Sequence, residues 1–213
     1  EGHGTRSDVI GTGDISRSSG HISLTSDDDI TLNSLIATGT GTVFILASND
    51  SPVSGGDNLD GVVQQGGLIT TAGGNVRLVA DNEGNVLLGG QISAIAGSVS
   101  IVAEGSILDF NGSAQNITAN TLRLWADATI NPDGTQNTGV AGDGVGIIGG
   151  SDTGNTPDNN DNAIDVQVNT LAAQSADGIY VRASGGLTVQ DTGNIVVHRV
   201  DFATGGTTTI TDS

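Results

Sequence analysis

The stretch "GGNVRLVADNEGNVLLGG", residues 73–90, contains Gly-Asn-Val twice, at residues 74 and 84. Each copy begins a short run in which apolar residues alternate with other residues, a period of two that is typical of a β-strand with one buried face. The apolar residues are Val76, Leu78 and Ala80, then Val86 and Leu88. The pair could form a β-hairpin, or it could form two sides of a coil that turns a corner at residues 81–84.

Similar strands recur along the chain. They start at residues 20, 41, 74, 97, 120 and 177, as GHISLTS, GTVFILAS, GNVRLVAD, GSVSIVAE, NTLRLWAD and DGIYVRAS. The starts indicate a repeat unit of about 21–23 residues, with one insertion between 41 and 74 and another between 120 and 177. A second apolar strand follows in most units, at Ile30 and Leu32, Val86 and Leu88, Ile107, Ile130, and Leu187 and Val189. A third follows at Leu35 and Ile36, Ile92 and Ile95, and Ile117.

Three short strands per unit predict a parallel β-solenoid. One coil of three strands cannot bury its inner face alone, and stacked coils complete the core. A hairpin would explain one Gly-Asn-Val pair but not its recurrence at a near-constant spacing. We therefore predict an all-β chain that forms a single solenoid domain over residues 1–213, with roughly seven to nine coils. Gly and Asn suit the corners because both residues accept left-handed backbone angles.

Two stretches interrupt the repeat and predict loops extruded from the solenoid. They are residues 48–66 and 131–162, and together they contain all three prolines of the chain. Loops of this length in a compact protein commonly carry function. Ile147 and Ile148 would give the second loop an apolar anchor. We expect both loops to provide contact surfaces.

The charge of the chain limits the classes of partner that it is expected to bind. There are 24 acidic residues against six arginines and no lysine, for a net charge of −18. So acidic a surface repels nucleic acid and anionic membranes, so neither is an expected partner. No apolar run is long enough to span a bilayer, and membrane insertion is not expected. The absence of cysteine excludes disulfides and thiolate metal sites.

A group of aspartates in and beside the second loop is a candidate calcium site. Carboxylate and amide oxygens from a loop are the ligands that Ca²⁺ prefers. The spacing of Asp158, Asn160 and Asn162 is similar to the start of an EF-hand loop, although Ala163 stands where that loop needs Gly. A solvated polar loop is the alternative interpretation. The candidate ligands are Asp152, Asp158, Asp161 and Asp165.

Catalysis is not predicted. Parallel β-helices also include polysaccharide lyases and hydrolases, which use clustered carboxylates together with Arg or His. The residues that could form such a group are Asp165, Asp177, Asp191, Arg182, His198 and Arg199. Nothing in the sequence brings them together, no lysine can act as a base, and aromatic residues that line sugar grooves are 2% of the chain. We interpret His198 as an outward-facing strand residue.

The units, most clearly residues 74–110, resemble the repeats of filamentous-haemagglutinin-type exoproteins over about residues 15–130 and 163–211. Those exoproteins are large secreted bacterial adhesins whose shafts are right-handed parallel β-helices. The resemblance implies right-handed coiling and an extracellular or cell-surface location. It also implies a role as a shaft, stalk or fibre.

The two ends of the chain bear on its assembly. Terminal coils expose unpaired backbone and are commonly capped, yet no capping helix is apparent, and residues 205–213, GGTTTITDS, look like one more strand. The chain does not begin with Met, so we expect a fragment or repeat unit of a larger surface protein. Either further coils continue, or copies stack head to tail.

The predicted function is that of a non-catalytic structural subunit in the shaft or fibre of a bacterial adhesin. Its expected partners are copies of itself or adjacent coils. The alternative is a Ca²⁺-dependent binding module that recognises a glycan or a host surface through residues 131–162.

Overall fold

The computed structural model describes residues 9–34, 36–48, 61–131, 133–137, 139–150, 162–201 and 203–213. These residues form strands and turns, which confirms the all-β prediction for them, and none of them lies in a helix that could span a membrane. The strands are β1 (Val9–Gly11), β2 (Ile15–Arg17), β3 (Ile22–Ser26), β4 (Ile30–Leu32), β5 (Ile36–Thr38), β6 (Val43–Ala47), β7 (Val63–Gln65), β8 (Ile69–Thr71), β9 (Val76–Ala80), β10 (Val86–Leu88), β11 (Ile92–Ala103), β12 (Ile107–Asp109), β13 (Ile117–Trp125), β14 (Ile147–Ile148), β15 (Ile164–Gln174), β16 (Gly178–Ile179), β17 (Val181–Ala183), β18 (Thr188–Val189), β19 (Ile195–Val200) and β20 (Thr207–Asp212).

Strands β1–β18 pair in parallel and form two curled sheets. The first sheet has seven strands in the order β1-β4-β7-β10-β12-β14-β16. The second sheet has eleven strands, which form two columns, and its long strands β11, β13 and β15 each belong to both columns. The first sheet is the first column of the stack, and the two columns of the second sheet are the second and the third. The third column contains β3, β6, β9, the second halves of β11, β13 and β15, and β18.

The register of the parallel pairs agrees with the spacing in the sequence. Val9 pairs with Ile30, one repeat unit later. Val43 pairs with Val76, which follows after one unit and the first insertion. Because the first sheet has seven strands, the described residues form seven levels. Mostly parallel strands in curled sheets, repeated level by level, fit a β-solenoid.

The last levels depart from the predicted alignment. The stretch DGIYVRAS forms β16 and β17, and Ile179 pairs with Ile148 in the first sheet. In the third column, Leu122 pairs instead with Leu171 of β15. The alignment of residues 177–184 with the third column was wrong because these residues share the same pattern of Gly followed by alternating apolar residues.

Both predicted insertions contain a strand of the first sheet. Residues 48–66 include β7, and residues 131–162 include β14. The predicted bounds are therefore too wide, and Ile147–Ile148 belongs to the stack instead of anchoring a loop. Ile130, predicted as a strand, forms an isolated antiparallel bridge to Gln136. Residues 49–60 and 151–161 lie outside the described residues.

The residues that face inward from all three columns form one aliphatic core. Equivalent positions stack in line through the levels, as Val43, Val76, Val99 and Leu122 do in the third column. These side chains are fully buried. Burial of apolar surface between successive levels is the main favourable term for such a stack, because no single level encloses a core.

The glycines that precede the third column stack directly on one another. A Cβ atom at Gly41, Gly74 or Gly97 would lie under 3.0 Å from the carbonyl oxygen of the glycine one level earlier. Of the four glycines in this column only Gly20 has a positive φ, at 95°. Close contact between levels, and not the left-handed backbone that the sequence suggested, therefore requires glycine at the other three corners.

The last two strands do not continue the stack. β19 and β20 pair antiparallel and form a hairpin that packs on the outer face of the third column. Residues 205–213 do contain a strand, as the sequence suggested, but this strand is not a further parallel one. Ile195, Val197 and Ile210 are the buried apolar residues of the hairpin.

Candidate functional site

The outer face of the third column is buried as well as the inner face. Phe44 and Leu46 of β6, Val79 of β9 and Val102 of β11 point outward, away from the aliphatic core, and are at most 2% exposed. We call this second cluster the outer core; it contains Phe44, Leu46, Val79, Val102, Ala128, Ile130, Val197 and Ile210. The sequence signal was present, because VFILA at residues 43–47 is apolar throughout, and a continuous apolar run marks a strand buried on both faces.

Side chains from three successive levels hold the free edge of β19. Each of them forms a hydrogen bond with the backbone of the hairpin, so β19 crosses the strands of the third column. The contacts are Asn75 Nδ2 donating to Val196 O (2.8 Å), His198 N donating to Thr42 Oγ1 (2.9 Å) and Val200 N donating to Ser23 Oγ (2.8 Å). An edge strand needs such partners for its backbone groups once it is removed from water.

A buried carboxylate joins the hairpin to two arginines of the third column. Asp212 Oδ2 lies 3.0 Å from Arg77 Nη1 and accepts a hydrogen bond from Ser100 Oγ at 2.5 Å. Asp212 Oδ1 lies 3.2 Å from Arg123 Nη1. We call Arg77, Ser100, Arg123 and Asp212 the buried ion network. Burial lowers the pKa of Arg77 and the attraction of Asp212 opposes that change. Removal of any one charge from the network would therefore leave a buried charge of opposite sign without one of its partners.

The same two arginines bind the chain on either side of the hairpin. Arg77 Nη2 donates to Gly134 O at 2.9 Å, and Arg123 Nη2 donates to Gly193 O at 2.9 Å. Arg123 also lies 3.5 Å from the carboxylate of Asp191, whose side chain is 86% exposed. The network thus fixes both the turn at residues 133–135 and the segment that leads into β19.

Two histidines meet where the hairpin crosses the first two levels. The ring centroids of His21 and His198 are 4.2 Å apart, and the planes are inclined by 46°. His21 Nδ1 accepts a hydrogen bond from Thr42 N at 3.1 Å, and burial followed by the proximity of His198 lowers the pKa of His21. His198 is half-buried and faces His21, so its interpretation as an outward-facing residue was wrong.

A cleft of about 400 Å³ lies between the hairpin and the turn at residues 133–135. Its charged side chains are Asp133, Arg199 and Asp201. Asp133 Oδ1 accepts hydrogen bonds from Thr135 N at 2.9 Å and from Thr135 Oγ1 at 2.6 Å. Among the described residues the guanidinium of Arg199 forms no hydrogen bond or ion pair, and its charge contributes to lowering the pKa of both Asp133 and Asp201.

The two aspartates of the cleft are held in their charged form. Burial raises the pKa of Asp133, but the hydrogen bonds from Thr135 outweigh it, so the pKa lies below the usual value. Hydrogen bonds from Thr204 lower the pKa of Asp201 in the same way. The cleft therefore presents two carboxylates and one guanidinium to its contents at neutral pH.

Of the four predicted calcium ligands, only Asp165 is described. It lies in β15, where its N–H donates to Asn116 Oδ1 at 2.6 Å and its carbonyl oxygen accepts from Gln115 Nε2 at 2.7 Å. Asp152, Asp158 and Asp161 lie outside the described residues. Within the described ranges, no group of three or more His, Cys, Asp or Glu side chains is arranged to hold a metal ion. The calcium site stays a prediction.

The residues considered for catalysis are spread over the molecule. Asp165 and Arg182 are neighbours on β15 and β17, whereas Asp191 lies beside Arg123. Asp177 precedes β16, and His198 and Arg199 are on β19. Of the six, the described lining of the cleft includes only Arg199.

Comparison of the chain with known proteins identifies no relative. No family model matches it, and no match was found among curated proteins or solved structures. Its function must therefore be inferred from the parallel stack, the outer core and the cleft.

Proposed function

We propose that the chain is a non-catalytic structural subunit in the shaft or fibre of a bacterial surface or secreted adhesin. In this proposal the stack is a right-handed parallel β-helix with about 21–23 residues and three short strands per coil. The resemblance of residues 74–110 to filamentous-haemagglutinin-type repeats supports the handedness and an extracellular location. The parallel stacking of equivalent strands through seven levels carries the proposal.

The last level supports assembly end to end. Strands β16, β17 and β18 are each paired on one side only among the described strands. Ile179 and Val189 in this level are 47% and 75% exposed. The hairpin that follows packs along the outer face of the stack and does not lie beneath this level. The unpaired N–H and C=O groups at this edge can form hydrogen bonds with another parallel strand. Adjacent coils of a longer chain or a second copy of this chain could therefore stack on the last level.

Sedimentation velocity over a concentration series tests this assembly. We expect the wild type to form longer species as concentration rises, and Val189→Lys to remain an elongated monomer because a charge at the open edge opposes pairing. Ile95→Lys is the matched control, since Ile95 is 70% exposed but lies within β11, in the middle of the stack. A monomeric wild type at every concentration, in Ca²⁺ and in chelator, would contradict self-assembly.

A binding module is a second candidate, and the cleft beside the hairpin favours it. The turn at residues 133–135 belongs to the predicted loop 131–162, and it faces Arg199 and Asp201 across the cleft. Carboxylates accept hydrogen bonds from sugar hydroxyls and a guanidinium donates to them, so this combination suits a glycan. The volume lies within the range of small-ligand sites.

Glycan-array binding tests this candidate. Arg199→Ala should abolish binding, because it removes the guanidinium that lines the cleft. Arg182→Ala is the control, since Arg182 is an exposed arginine on β17, outside the lining of the cleft. Equal loss in both variants would indicate non-specific charge effects and would count against the cleft.

The dependence of such a module on Ca²⁺ is a separate proposal. Its candidate ligands are Asp152, Asp158, Asp161 and Asp165. Calorimetric titration with Ca²⁺ should show binding to the wild type and none to a variant that combines Asp158→Asn with Asp161→Asn. Unchanged heats in the variant would remove these residues from the site.

A further inference from the structure

The hairpin of β19 and β20 is built as a layer that can separate from the stack. Its residues Val197 and Ile210 belong to the outer core, whereas the levels are held together by the aliphatic core inside the stack. No described strand of the stack pairs with β19 or β20 in a backbone ladder. Removal of the hairpin would therefore leave the parallel pairs and the inner core in place.

We propose that this hairpin is a pH-sensitive strap, which leaves the outer face of the third column when His21 gains a proton. The two rings belong to opposite sides of the contact, because His21 precedes β3 in the stack and His198 lies within β19. At a centroid separation of 4.2 Å, a positive charge on His21 is repelled by His198 across the contact that holds the hairpin.

One hydrogen bond of His21 requires an unprotonated Nδ1 atom, because this atom accepts from Thr42 N. Protonation would break that bond, and Nδ1 would then donate to Thr42 Oγ1, which lies 3.0 Å away. Thr42 Oγ1 in turn accepts from the backbone N–H of His198. Protonation of His21 therefore disturbs the residue that anchors the centre of β19.

The His198 ring is also partly enclosed while the hairpin is docked. Its Nδ1 atom is buried and has no hydrogen-bond partner among the described residues. A buried polar atom without a partner is unfavourable, and release of the hairpin would bring it into contact with water.

Among the described residues, the charged groups packed around the two rings provide no compensating anion. Strands β3 and β6 carry no titratable side chain, and Arg77 of β9 is paired with Asp212 of β20. Arg17, near Gly20, and Arg199, on β19, are both cationic. The carboxylates of Asp133 and Asp201 face the cleft.

The direction of the pH effect follows from the lowered pKa of His21. The docked state binds fewer protons than the released state, whose histidine has the ordinary pKa of 6.5. Docking is therefore complete above about pH 6.5 and is lost as the pH falls below this value through the pKa of the docked state. With one proton taken up at His21, the docking equilibrium constant falls by up to about 10-fold per pH unit.

Release would change two surfaces at once. The outer core would lose Val197 and Ile210, and the cleft would lose the wall that carries Arg199. The strap stands on the contacts of the hairpin alone and does not depend on a shaft or a glycan-binding role.

The single tryptophan of the chain provides the readout. Trp125 is partly buried against the outer core, so its emission should shift to longer wavelength when the hairpin leaves. We expect this shift between pH 7.5 and 5.5 in the full chain, with faster hydrogen exchange at the amides of His198 and Val200. The far-UV circular dichroism of the stack should remain unchanged.

Two variants test whether the histidine pair, and not another titrating group, causes the pH-dependent transition. The double variant His21→Gln and His198→Gln should keep the hairpin docked over the whole range, and His3→Gln should behave as the wild type does. A transition that persists in the double variant, or its absence in the wild type, would overturn the proposal. If the double variant is already released at pH 7.5, NMR titration of His21 in the wild type decides: a midpoint that differs from the tryptophan transition refutes the strap.

Discussion

The inner and outer faces of the third column are both buried, but they are built by opposite rules. Along the inner face, equivalent positions carry similar aliphatic residues, such as Val43, Val76 and Val99. Along the outer face, the next position in the same register carries Phe44, Arg77, Ser100 and then Arg123. Repetition suits a stack in which every level meets an almost identical neighbour. Variation suits the docking of one particular hairpin.

The difference explains why the outer face can define one position for the hairpin. A shift by one level would leave the inner contacts nearly unchanged, because Val would again meet Val. The same shift of the hairpin would place Asp212 against a different set of outward residues and leave a buried charge unpaired. Charge therefore sets the position of the hairpin, whereas apolar burial sets the stack.

Asp212→Asn should have the largest effect of the changes considered. It leaves Arg77 and Arg123 without a buried carboxylate, and breaking a buried ion pair costs about 3–5 kcal/mol. Urea denaturation should show the tryptophan transition at a lower midpoint, while the circular dichroism transition of the stack stays in place.

Asp191→Asn is the matched control, because Asp191 contacts the same Arg123 from an exposed position. Exposed ion pairs contribute about 0–1 kcal/mol. If the two variants lower the tryptophan midpoint equally, burial does not distinguish the two aspartates and the comparison between the faces fails.

Leu78→Ala tests the contribution of the inner face, and the adjacent Val79 on the outer face provides the comparison. A buried leucine replaced by alanine costs about 2–5 kcal/mol through lost contacts and the cavity that remains. Because Leu78 holds the levels together, both the stack transition and the tryptophan transition should move. Val79→Ala, one residue later on the outer face, should move the tryptophan transition alone.

Gly74→Ala tests the contact between levels at a corner. Its Cβ would meet the carbonyl oxygen of Gly41, and the backbone must shift at a cost of about 1–3 kcal/mol. Gly73→Ala is the control, since a Cβ there meets nothing within 4 Å. Thermal unfolding followed by circular dichroism should separate the two variants, and equal midpoints would mean that the corner is looser than its geometry indicates.

The sequence predicted the part of the fold that depends on local pattern. Strands such as β6 and β9 can be predicted from the apolar residues within a few consecutive positions, and this pattern recurs at each level of the stack. The pairing of Ser100 with Asp212 spans 112 residues and has no local signature. The position of the hairpin and the meeting of His21 with His198 therefore could not be predicted.

One part of the candidate site was open to prediction and was missed. The five apolar residues at 43–47 and the outward Val79 within VRLVA at 76–80 indicated strands covered on both sides. An arginine in such a strand requires a buried acidic partner, and Asp212 is that partner. The alternating pattern drew attention to the inner face, where no charge is needed.

Asp133→Ala should have the smallest effect, and one confined to a range of pH. The hydrogen bonds from Thr135 hold the pKa of Asp133 below its ordinary value of 3.8, so the folded state gains stability above that pH and loses it as the pH falls through the lowered pKa. Asp133 is largely exposed, and solvent screening limits the loss in the variant to less than about 1 kcal/mol at pH 7. Thr135→Val removes the hydroxyl donor but keeps the backbone N–H, so it should reproduce part of this loss. Urea denaturation at pH 7 and pH 3 measures both; a difference from the wild type that is as large at pH 3 as at pH 7 would mean that the turn, and not the charge, stabilises this side of the cleft.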